Sequence, residues 1–381
     1  MEGESVMANP YRPGAGTAPV YFAGRSHELC EAERALQEVR AGAARSILYY
    51  GLRGAGKTVL LNMLENMAER MELPSEYIEA DEKEAGFRTQ LVQAVYRLLH
   101  RLDLRQSSPV IQRGFAVWKA FADAQHKAEP GRETPGSDMT GLLLALGQAA
   151  QAAECGAVLF VDEIQYCGAE DLEALMTALH RVNQKGYPLL LIAVGLPKIV
   201  AMAGELRAYA ERLFAFIEVG ALKDAEARLA LLEPARSLGV TYTDGAVEEI
   251  LLVAQGYPYF LQEYGKWVWD LREGQPVISK RIVERAYRSF EQSLDEAFFA
   301  VRHERATPRE VDFMEAMAKC RFLPCTTKEV AAAMGKSVQG ISPLRADLIA
   351  KGFIYAATRG RVGFSVPQFD RYLQRIRSKQ N

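Results

Sequence analysis

Short apolar runs alternate with longer amphipathic stretches over the first part of the chain. Residues 46–50, 157–161 and 189–194 are almost free of polar side chains, which is typical of strands that are buried on both faces of a parallel sheet. Weaker patterns predict two more strands at 76–80 and 214–219. The pattern therefore predicts five strands before about residue 220.

The stretches between these strands have the apolar spacing of helices. The predicted helices lie at 26–40, 57–71, 87–102, 110–124, 141–154 and 171–184. Strands that alternate with helices predict an α/β fold, in which helices cover both faces of a parallel sheet. Residues 8–20 and 126–138 are rich in Pro and Gly, and they are predicted to form an extended arm and a loop.

The pattern changes near residue 223. From there to residue 299 it is helical throughout, and from residue 307 it is helical and then alternating near 353–366. A chain of 381 residues is long enough for two or three domains. We therefore predict domains at 1–222, 223–300 and 301–381.

The amino-acid composition limits the classes of protein to which this chain can belong. The hydrophobic fraction of 49% and the charged fraction of 25% are ordinary for a soluble globular protein. No uncharged apolar run is long enough to span a bilayer, and the N-terminus lacks the features of a signal peptide, which predicts a cytoplasmic protein without a membrane partner. The five cysteines are scattered and form no Cys-x-x-Cys pair, so reduced thiols are expected rather than disulfides or a zinc site.

The net charge of −2 conceals an uneven distribution of charge along the chain. Residues 305–381 carry 14 Lys and Arg against 6 Asp and Glu, whereas the preceding residues carry 32 against 42. A basic C-terminal part on an acidic body favours a polyanion as the partner of that part.

Residues 51–58 match the pattern G-x-x-x-x-G-K-[ST] between a predicted strand and a predicted helix. Glycines let the backbone turn sharply and point several N–H groups at one anion, and the positive N-terminus of the helix adds to this field. Lys57 is expected to reach the β- and γ-phosphates, and Thr58 to hold Mg²⁺. The predicted ligands of ATP or ADP in this loop are Gly51, Arg53, Gly54, Ala55, Gly56, Lys57, Thr58 and Val59.

Two carboxylates follow the apolar strand at 157–161. Asp162 is expected to hold Mg²⁺ through its water shell, and Glu163 to polarise the water that attacks ATP. Arg212, just before the fifth predicted strand, is a candidate to reach the γ-phosphate of a neighbouring subunit in a homo-oligomer. A surface salt bridge is the alternative for Arg212, and Arg207 competes with it for the role.

These motifs, in this order, resemble those of AAA+ and related signal-transduction ATPases. Residues 51–58 resemble the Walker A motif of that family and residues 158–163 its Walker B motif. Residues 22–28 resemble its N-terminal motif, which implies that Gly24 and Arg25 line the adenine pocket.

The later motifs extend this resemblance. Residues 255–258 resemble the G-x-P motif of the helical lid, which implies that Tyr257 and Pro258 contact the nucleotide. The whole chain resembles origin-recognition-type AAA+ ATPases, in particular bacterial "ATP-binding proteins" with a winged helix. It departs from them at Gly195, which offers no polar side chain at the sensor 1 position, and at Pro258, which stands near the place of a sensor 2 arginine. Both departures imply slow hydrolysis.

The C-terminal part shows a succession of capped helices. Residues 326–335 begin with the capping box of Thr326 and end at a glycine. The next helix starts with Ser342 as its N-cap and Pro343 as its first residue, or alternatively with a turn at Ser337. Strands at 353–357 and 361–366 then flank a basic turn.

This order of helix, turn, helix and β-hairpin predicts a winged helix-turn-helix, whose recognition helix enters the major groove of double-stranded DNA. The candidate DNA contacts are Lys336, Ser337, Gln339, Ser342 and Arg345 on the helix, and Arg359 and Arg361 in the hairpin. A winged helix can also bind protein, which leaves a protein partner as the alternative. The sequence thus predicts a slow ATPase switch that binds DNA, with a nucleotide-dependent signalling or scaffold protein as the rival.

Overall fold

The computed structural model describes residues 8–81, 86–127 and 138–380. The chain divides into two compact units, which interleave along the sequence. We call Arg25–Gly51 with Lys57–Val219 the sheet unit, and Met1–Gly24, Leu52–Gly56 and Gly220–Asn381 the helical unit. The division into three domains that the sequence suggested stays a prediction.

The sheet unit is built on a five-stranded parallel sheet. Its strands are β1 (Ser46–Tyr50), β2 (Ser75–Glu79), β3 (Ala157–Asp162), β4 (Leu189–Gly195) and β5 (Phe214–Glu218). They lie in the order β2-β3-β4-β1-β5. Every residue of β3 and β4 is buried, as expected for central strands that are covered on both faces. The α/β fold predicted from the sequence is confirmed.

Helices surround this sheet. They are α1 (Ser26–Glu38), α2 (Lys57–Arg70), α3 (Phe87–Arg105), α4 (Pro109–Lys127), α5 (Met139–Ala152), α6 (Ala169–Gln184), α7 (Lys198–Leu206) and α8 (Ala210–Leu213). The sequence reading missed α7 and α8, because each is too short to show a clear helical period. The predicted loop at 126–138 lies mostly outside the described residues, and α4 reaches into its start.

The strand order brings the functional segments to one edge. The carboxyl ends of parallel strands meet at the same edge of a sheet. Because β4 lies between β3 and β1, the residues after β1 and β3 are one strand apart, with Gly195 at the end of β4 between them. Tyr50 pairs with Gly195, and Glu79 on β2 pairs with Asp162.

The middle of the helical unit holds a helical bundle. Its helices are α9 (Asp224–Arg236), α10 (Asp244–Ala254), α11 (Pro258–Asp270) and α12 (Lys280–Ser293), followed by the π-helical segment Leu294–Ala300 and α13 (Val301–His303). The prediction that this stretch is helical throughout is wrong at two places. Short parallel strands β6 (Thr241–Tyr242) and β7 (Val277–Ile278) pair there. Two residues are too few for a strand period to appear in a sequence.

The C-terminal part contains the predicted order of elements. They are α14 (Pro308–Ala318), β8 (Cys325–Thr326), α15 (Thr327–Ala333), α16 (Val338–Ala350), β9 (Ile354–Thr358), β10 (Arg361–Phe364) and α17 (Phe369–Gln380). β8 was not predicted, and it joins the hairpin in an antiparallel sheet of order β8-β10-β9. Within the three described ranges, no helix is long and apolar enough to cross a membrane.

The start of α16 decides between the two N-caps that the sequence allowed. Ser337 is the N-cap, because its hydroxyl accepts the N–H of Gly340 at 3.1 Å. The Ser342 alternative is wrong: its hydroxyl donates to the carbonyl of Val338 inside the helix, and Pro343 also lies inside. Starting at Val338 brings the buried Ile341 into the helix, whereas Leu348 lies in it with either start, so the burial of Ile341 favours the Ser337 cap.

We expect Ser337→Ala to lower the free energy of unfolding by about 1 kcal/mol, because the helix loses its capping acceptor. Ser342→Ala, a matched change within the same helix, should cost less than about 0.5 kcal/mol. Urea denaturation of both variants checks the assignment. A larger loss for the Ser342 variant would contradict it.

Candidate nucleotide-binding site

The loop after β1 has the backbone that an anion site needs. Gly54 and Gly56 have φ angles of 78° and 85°, in the left-handed region that side chains rarely adopt. Helix α2 then begins at Lys57, and its first turn presents backbone N–H groups and a positive dipole end. A loop of this geometry suits the phosphates of a nucleotide.

Close backbone packing fixes the start of the loop. The N–H of Gly51 donates to the carbonyl of Gly195 at 3.1 Å, which ties the loop to the end of β4. A Cβ on Gly51 would lie 2.1 Å from the carbonyl oxygen of Val219. Glycine is therefore required at position 51 by space as well as by the motif.

The other loop residues differ in exposure. Lys57 is buried at 7% exposure, and Ala55 is also buried. Arg53, Thr58 and Val59 are half-buried. The contact of Lys57 with the β- and γ-phosphates stays a prediction.

Asp162 is a buried carboxylate at the end of β3. Its oxygens accept the hydroxyl of Tyr77 at 2.8 Å and the N–H of Glu163 at 2.7 Å, and Thr58 also bonds to it. Burial raises the pKa of Asp162, and the hydrogen bonds from Tyr77 and Thr58 oppose that rise. The sheet unit thus brings Thr58 and Asp162 together, and their role as ligands of Mg²⁺ stays a prediction.

This pair fits Mg²⁺. A hydroxyl and a carboxylate supply hard oxygen donors, and Mg²⁺ in nucleotide sites takes its other ligands from phosphate and water. In the part of the chain that the structure describes, no group of three His, Cys, Asp or Glu side chains could hold a metal ion by itself. The donors present therefore suit a metal that arrives with the nucleotide.

Glu163 directly follows the strand in a strained conformation. Its φ and ψ angles of 50° and 37° are left-handed, which costs a residue with a side chain about 1–2 kcal/mol. The side chain is half-buried, and one of its oxygens accepts the side-chain amide of Gln165. The chain therefore leaves β3 sharply and presents Glu163 at the edge where the phosphate loop begins.

Gln165 is the site residue that the sequence reading missed. It is 3% exposed, and its Oε1 accepts the N–H of Leu196 at 2.8 Å. A Cβ on Gly195 would lie 2.7 Å from this oxygen, so the glutamine amide occupies the space of a side chain at the predicted sensor 1 position. The signal in the sequence was a glutamine two residues after the acidic pair.

Gly24 and Arg25, which the family resemblance assigns to the adenine pocket, each lie close to a glutamate side chain. Arg25 is buried with a φ of 67°, and its guanidinium pairs with Glu28 at 3.2 Å. A Cβ on Gly24 would lie 2.9 Å from the carboxyl of Glu226. The adenine role of Gly24 and Arg25 stays a prediction.

Within the helical unit, the loop residues Leu52–Gly56 contact the start of α11. The N–H of Tyr259 donates to the carbonyl of Gly54 at 3.2 Å, and Pro258 faces Gly56. Pro258 is the first residue of α11, and Tyr257 is its N-cap. Tyr257 and Pro258, which were predicted to contact the nucleotide, therefore lie beside the phosphate loop. Tyr259 also contacts this loop through its backbone.

The two candidate arginines differ in their surroundings. Arg207 pairs with Glu173 at 2.9 Å and donates to the hydroxyl of Thr177 at 3.3 Å. Arg212 is exposed on α8. Arg212 is therefore the more exposed of the two and Arg207 the one with an ion pair, and a contact of either arginine with a neighbouring subunit stays a prediction.

The candidate DNA contacts form two groups on the C-terminal elements. Lys336, Ser337, Gln339 and Ser342 are exposed at the start of α16, and Arg359 is exposed in the turn between β9 and β10. Arg345 is half-buried, with a buried Nε that has no hydrogen-bond partner in the structure. Arg361 donates to the carbonyl of Pro324, at 3.1 Å from Nε and 2.9 Å from Nη2. Arg345 is therefore less accessible than the sequence suggested, whereas Arg361 is exposed but already donates to a backbone carbonyl.

The raised pKa of Asp162 predicts a pH-dependent metal site. The folded state favours the neutral acid, so this group stabilises the ligand-free fold below its unfolded pKa and less as pH rises through the raised value. Mg²⁺ needs the ionised form. We therefore expect Mg²⁺ affinity in the nucleotide complex to fall on acidification, starting above the ordinary aspartate range.

Calorimetric titration of Mg²⁺ at a series of pH values measures this effect. Asp162→Asn should remove the part of the pH dependence that the carboxylate causes. Tyr77→Phe should move the loss of affinity to higher pH, because the hydroxyl that lowers the pKa is gone. Identical profiles for wild type and Asp162→Asn would contradict the assignment.

Two family models match the chain. Residues 21–192 match the AAA ATPase domain, and residues 296–373 match a domain of unknown function, DUF8462. The first match includes the phosphate loop and the acidic pair, and it confirms the AAA+ resemblance drawn from the motifs. Among curated proteins, none matches the sequence.

A search of solved structures also found matches that cover nearly the whole chain. A Walker-type ATPase of Pyrococcus abyssi has a TM-score of 0.60 at 18% identity, over 95% of this chain and 98% of its own. The RuvB Holliday junction branch migration motor of Thermotoga maritima has a TM-score of 0.45 at 17% identity, over 93% and 95%. The Aeropyrum pernix ORC1 protein in complex with DNA has a TM-score of 0.46 at 16% identity, over 94% of each chain. At this identity, the first structure shows a shared fold.

Proposed function

We propose that this chain, which is an AAA+ P-loop ATPase through its residues 21–192, is a slow nucleotide-dependent switch of the origin-recognition-like type. Its output is a C-terminal winged helix that binds double-stranded DNA. ATP or ADP binds at the loop 51–58, and the nucleotide state controls how the C-terminal elements engage DNA or a second copy of the chain.

One contact carries this proposal. The N–H of Arg53 in the phosphate loop donates to the carbonyl of Ser365 at 3.1 Å, and both residues belong to the helical unit. Ser365 directly follows β10 of the C-terminal hairpin. A change of the loop on binding phosphate would therefore act directly on the elements that we propose to bind DNA.

The surroundings of Ser365 extend this contact. Ser365 is buried, its hydroxyl donates to the carbonyl of Phe353 at 2.9 Å, and its N–H donates to the same carbonyl at 3.0 Å. The hydroxyl also donates to the carbonyl of Gly352, two residues after the end of α16 at Ala350. The phosphate loop is thus linked through backbone atoms to the end of the proposed recognition helix, and such a link can bias a two-state element.

The chemistry expected at the site is hydrolysis of the γ-phosphate. Lys57 binds the β- and γ-phosphates, Thr58 and Asp162 hold the metal, and Glu163 orients the attacking water. Mg²⁺, when bound, neutralises charge on the phosphates. Gly195 gives no polar side chain of its own, and Pro258 stands in the lid motif, so we propose slow turnover.

The DNA part of the proposal rests on charge and exposure. Exposed polar side chains lie at the start of α16, as a recognition helix in the major groove requires, and Arg359 lies at the tip of the hairpin. Some basic residues nearby are already paired, as in the 2.8 Å contact between Lys351 and Glu310. The proposed phosphate contacts are therefore few, and Lys336 and Arg359 are foremost among them.

We expect ATP with Mg²⁺ to increase the affinity of the protein for a DNA duplex. Affinity should fall with salt, because phosphate contacts release counterions. Arg359→Ala should reduce the slope of log K against log salt by about 1, because one phosphate contact is lost. Fluorescence anisotropy of a labelled duplex over a salt series measures both effects.

Two variants serve as controls for this experiment. Lys280→Ala removes an exposed cation from α12 and should leave the salt slope unchanged. Lys57→Ala should remove the ATP effect and leave the nucleotide-free affinity as it was. Equal affinities for the DNA duplex with and without ATP would contradict the proposal of a nucleotide-dependent switch. The absence of binding at low salt would favour the rival, a signalling or scaffold protein whose winged helix binds protein.

A homo-oligomer with nucleotide between subunits is part of the proposal. In that arrangement Arg212 stabilises the γ-phosphate charge of its neighbour, and Arg212→Ala should lower ATPase activity by roughly a hundredfold or more. Mixing Arg212→Ala with Glu163→Gln should restore activity, because each inactive subunit supplies the group that the other lacks. Mixtures that stay inactive would place Arg212 outside the site of its neighbour.

A further inference from the structure

The sheet unit contains a buried glutamine that the mechanism above does not use. Gln165 lies in the short 3₁₀ turn Ile164–Tyr166 after the acidic pair, and it is 3% exposed. A buried amide is costly unless its donors and acceptor are bonded. Here both ends are bonded, one to Glu163 and the other to the backbone of Leu196.

The two bonds join the end of β3 to the end of β4. The amide nitrogen donates to a carboxylate oxygen of Glu163, and the amide oxygen accepts the Leu196 N–H at 2.8 Å. The carbonyl of Gly195, one residue earlier, accepts the N–H of Gly51 at 3.1 Å. The glutamine thus connects Glu163 to the same backbone segment that anchors the phosphate loop.

The space for this amide exists because residue 195 is glycine. A Cβ there would lie 2.7 Å from the amide oxygen of Gln165 and 3.0 Å from the side chain of Ile164. Real Cβ atoms do not approach neighbours that closely, so any other residue at 195 would displace the amide. Gly195 and Gln165 are therefore a matched pair.

We propose that Gln165 is the positioning residue of the Glu163 carboxylate, and that its amide does so from the space that the missing side chain of Gly195 leaves open. The proposal rests on ATP hydrolysis as the proposed reaction. A glutamate side chain has three rotatable bonds, and a hydrogen bond from a buried, doubly bonded amide selects one orientation of its carboxylate. Positioning of this kind lowers a barrier without adding affinity for the substrate.

The test is steady-state ATP hydrolysis by the full chain with Gln165→Met. Methionine keeps the length of the side chain and loses both hydrogen bonds. We expect kcat to fall on the order of tenfold to a hundredfold, the worth of one hydrogen bond to a charged group. The KM for ATP and the dissociation constant of ADP should stay unchanged, since Glu163 does not hold the ground-state nucleotide.

Gln165→Glu keeps an oxygen that can accept the Leu196 N–H, but it places a second carboxylate against Glu163. Because two carboxylates that are buried side by side repel each other unless they share a proton, we expect a loss of kcat that depends on pH, together with a lower thermal midpoint. Gly195→Ala should also lower kcat, because its Cβ displaces the amide. Gln184→Met, an exposed glutamine on α6, is the matched control and should leave kcat unchanged.

A double-mutant cycle with Glu163→Gln decides whether Gln165 acts through Glu163. In the Glu163→Gln background, Gln165→Met should cause no further loss of kcat, because the group it positions is absent. Additive losses would overturn the proposal, and so would an unchanged kcat for Gln165→Met. A weaker affinity for ADP with unchanged kcat would assign Gln165 to nucleotide binding instead.

The results of these hydrolysis experiments do not depend on whether the chain binds DNA. A wild-type chain that hydrolyses ATP but binds no duplex would remove the winged-helix part of the proposed function, while the cycle at Gln165 would still be measurable. A wild-type chain that binds ADP but hydrolyses no ATP overturns the positioning role itself.

Discussion

The candidate site depends on one constraint, the place of β4 between β1 and β3 in a parallel sheet. This order sets the phosphate loop and the acidic pair one strand apart, and it puts the end of β4 between them. A glycine at that end leaves room for a side chain from elsewhere, and Gln165 fills it. The strand order therefore brings the ends of β1, β3 and β4 close together. The small size of Gly195 then allows the amide of Gln165 to lie between them.

The parts of the fold that could be predicted are those governed by local rules. Fully buried strands appear as continuous apolar runs, and a phosphate loop needs glycines wherever the backbone takes positive φ. Gln165 could not be recognised, because its role follows from a missing Cβ thirty residues later on another strand. Likewise, Ser337 and Ser342 are both chemically suitable caps, and the burial of Ile341, which only the Ser337 cap brings into the helix, selects between them.

The number of charged residues in the sequence predicts that the C-terminal part has a net positive charge. It does not predict which of the basic side chains are already paired. Arg375 pairs with Asp295 within the helical unit, and Arg377 lies near Glu315. Arg361 is held by a backbone carbonyl at Pro324. Several of the basic residues that made this region look suited to a polyanion are therefore already paired within the protein, and the number of phosphate contacts that we propose is smaller than the net charge suggests.

The five residues Leu52–Gly56 belong to a compact unit whose other members precede residue 25 or follow residue 219. Because the two units interleave along the sequence, the C-terminal part cannot be removed or exchanged without the loss of contacts to this loop. A truncation after Val219 would keep the complete Walker sequences but remove Tyr259 and Ser365, which bond to the loop backbone. A lineage that exchanged its C-terminal elements for others would have to recreate those backbone bonds, so the loop and the C-terminal elements are expected to be inherited together.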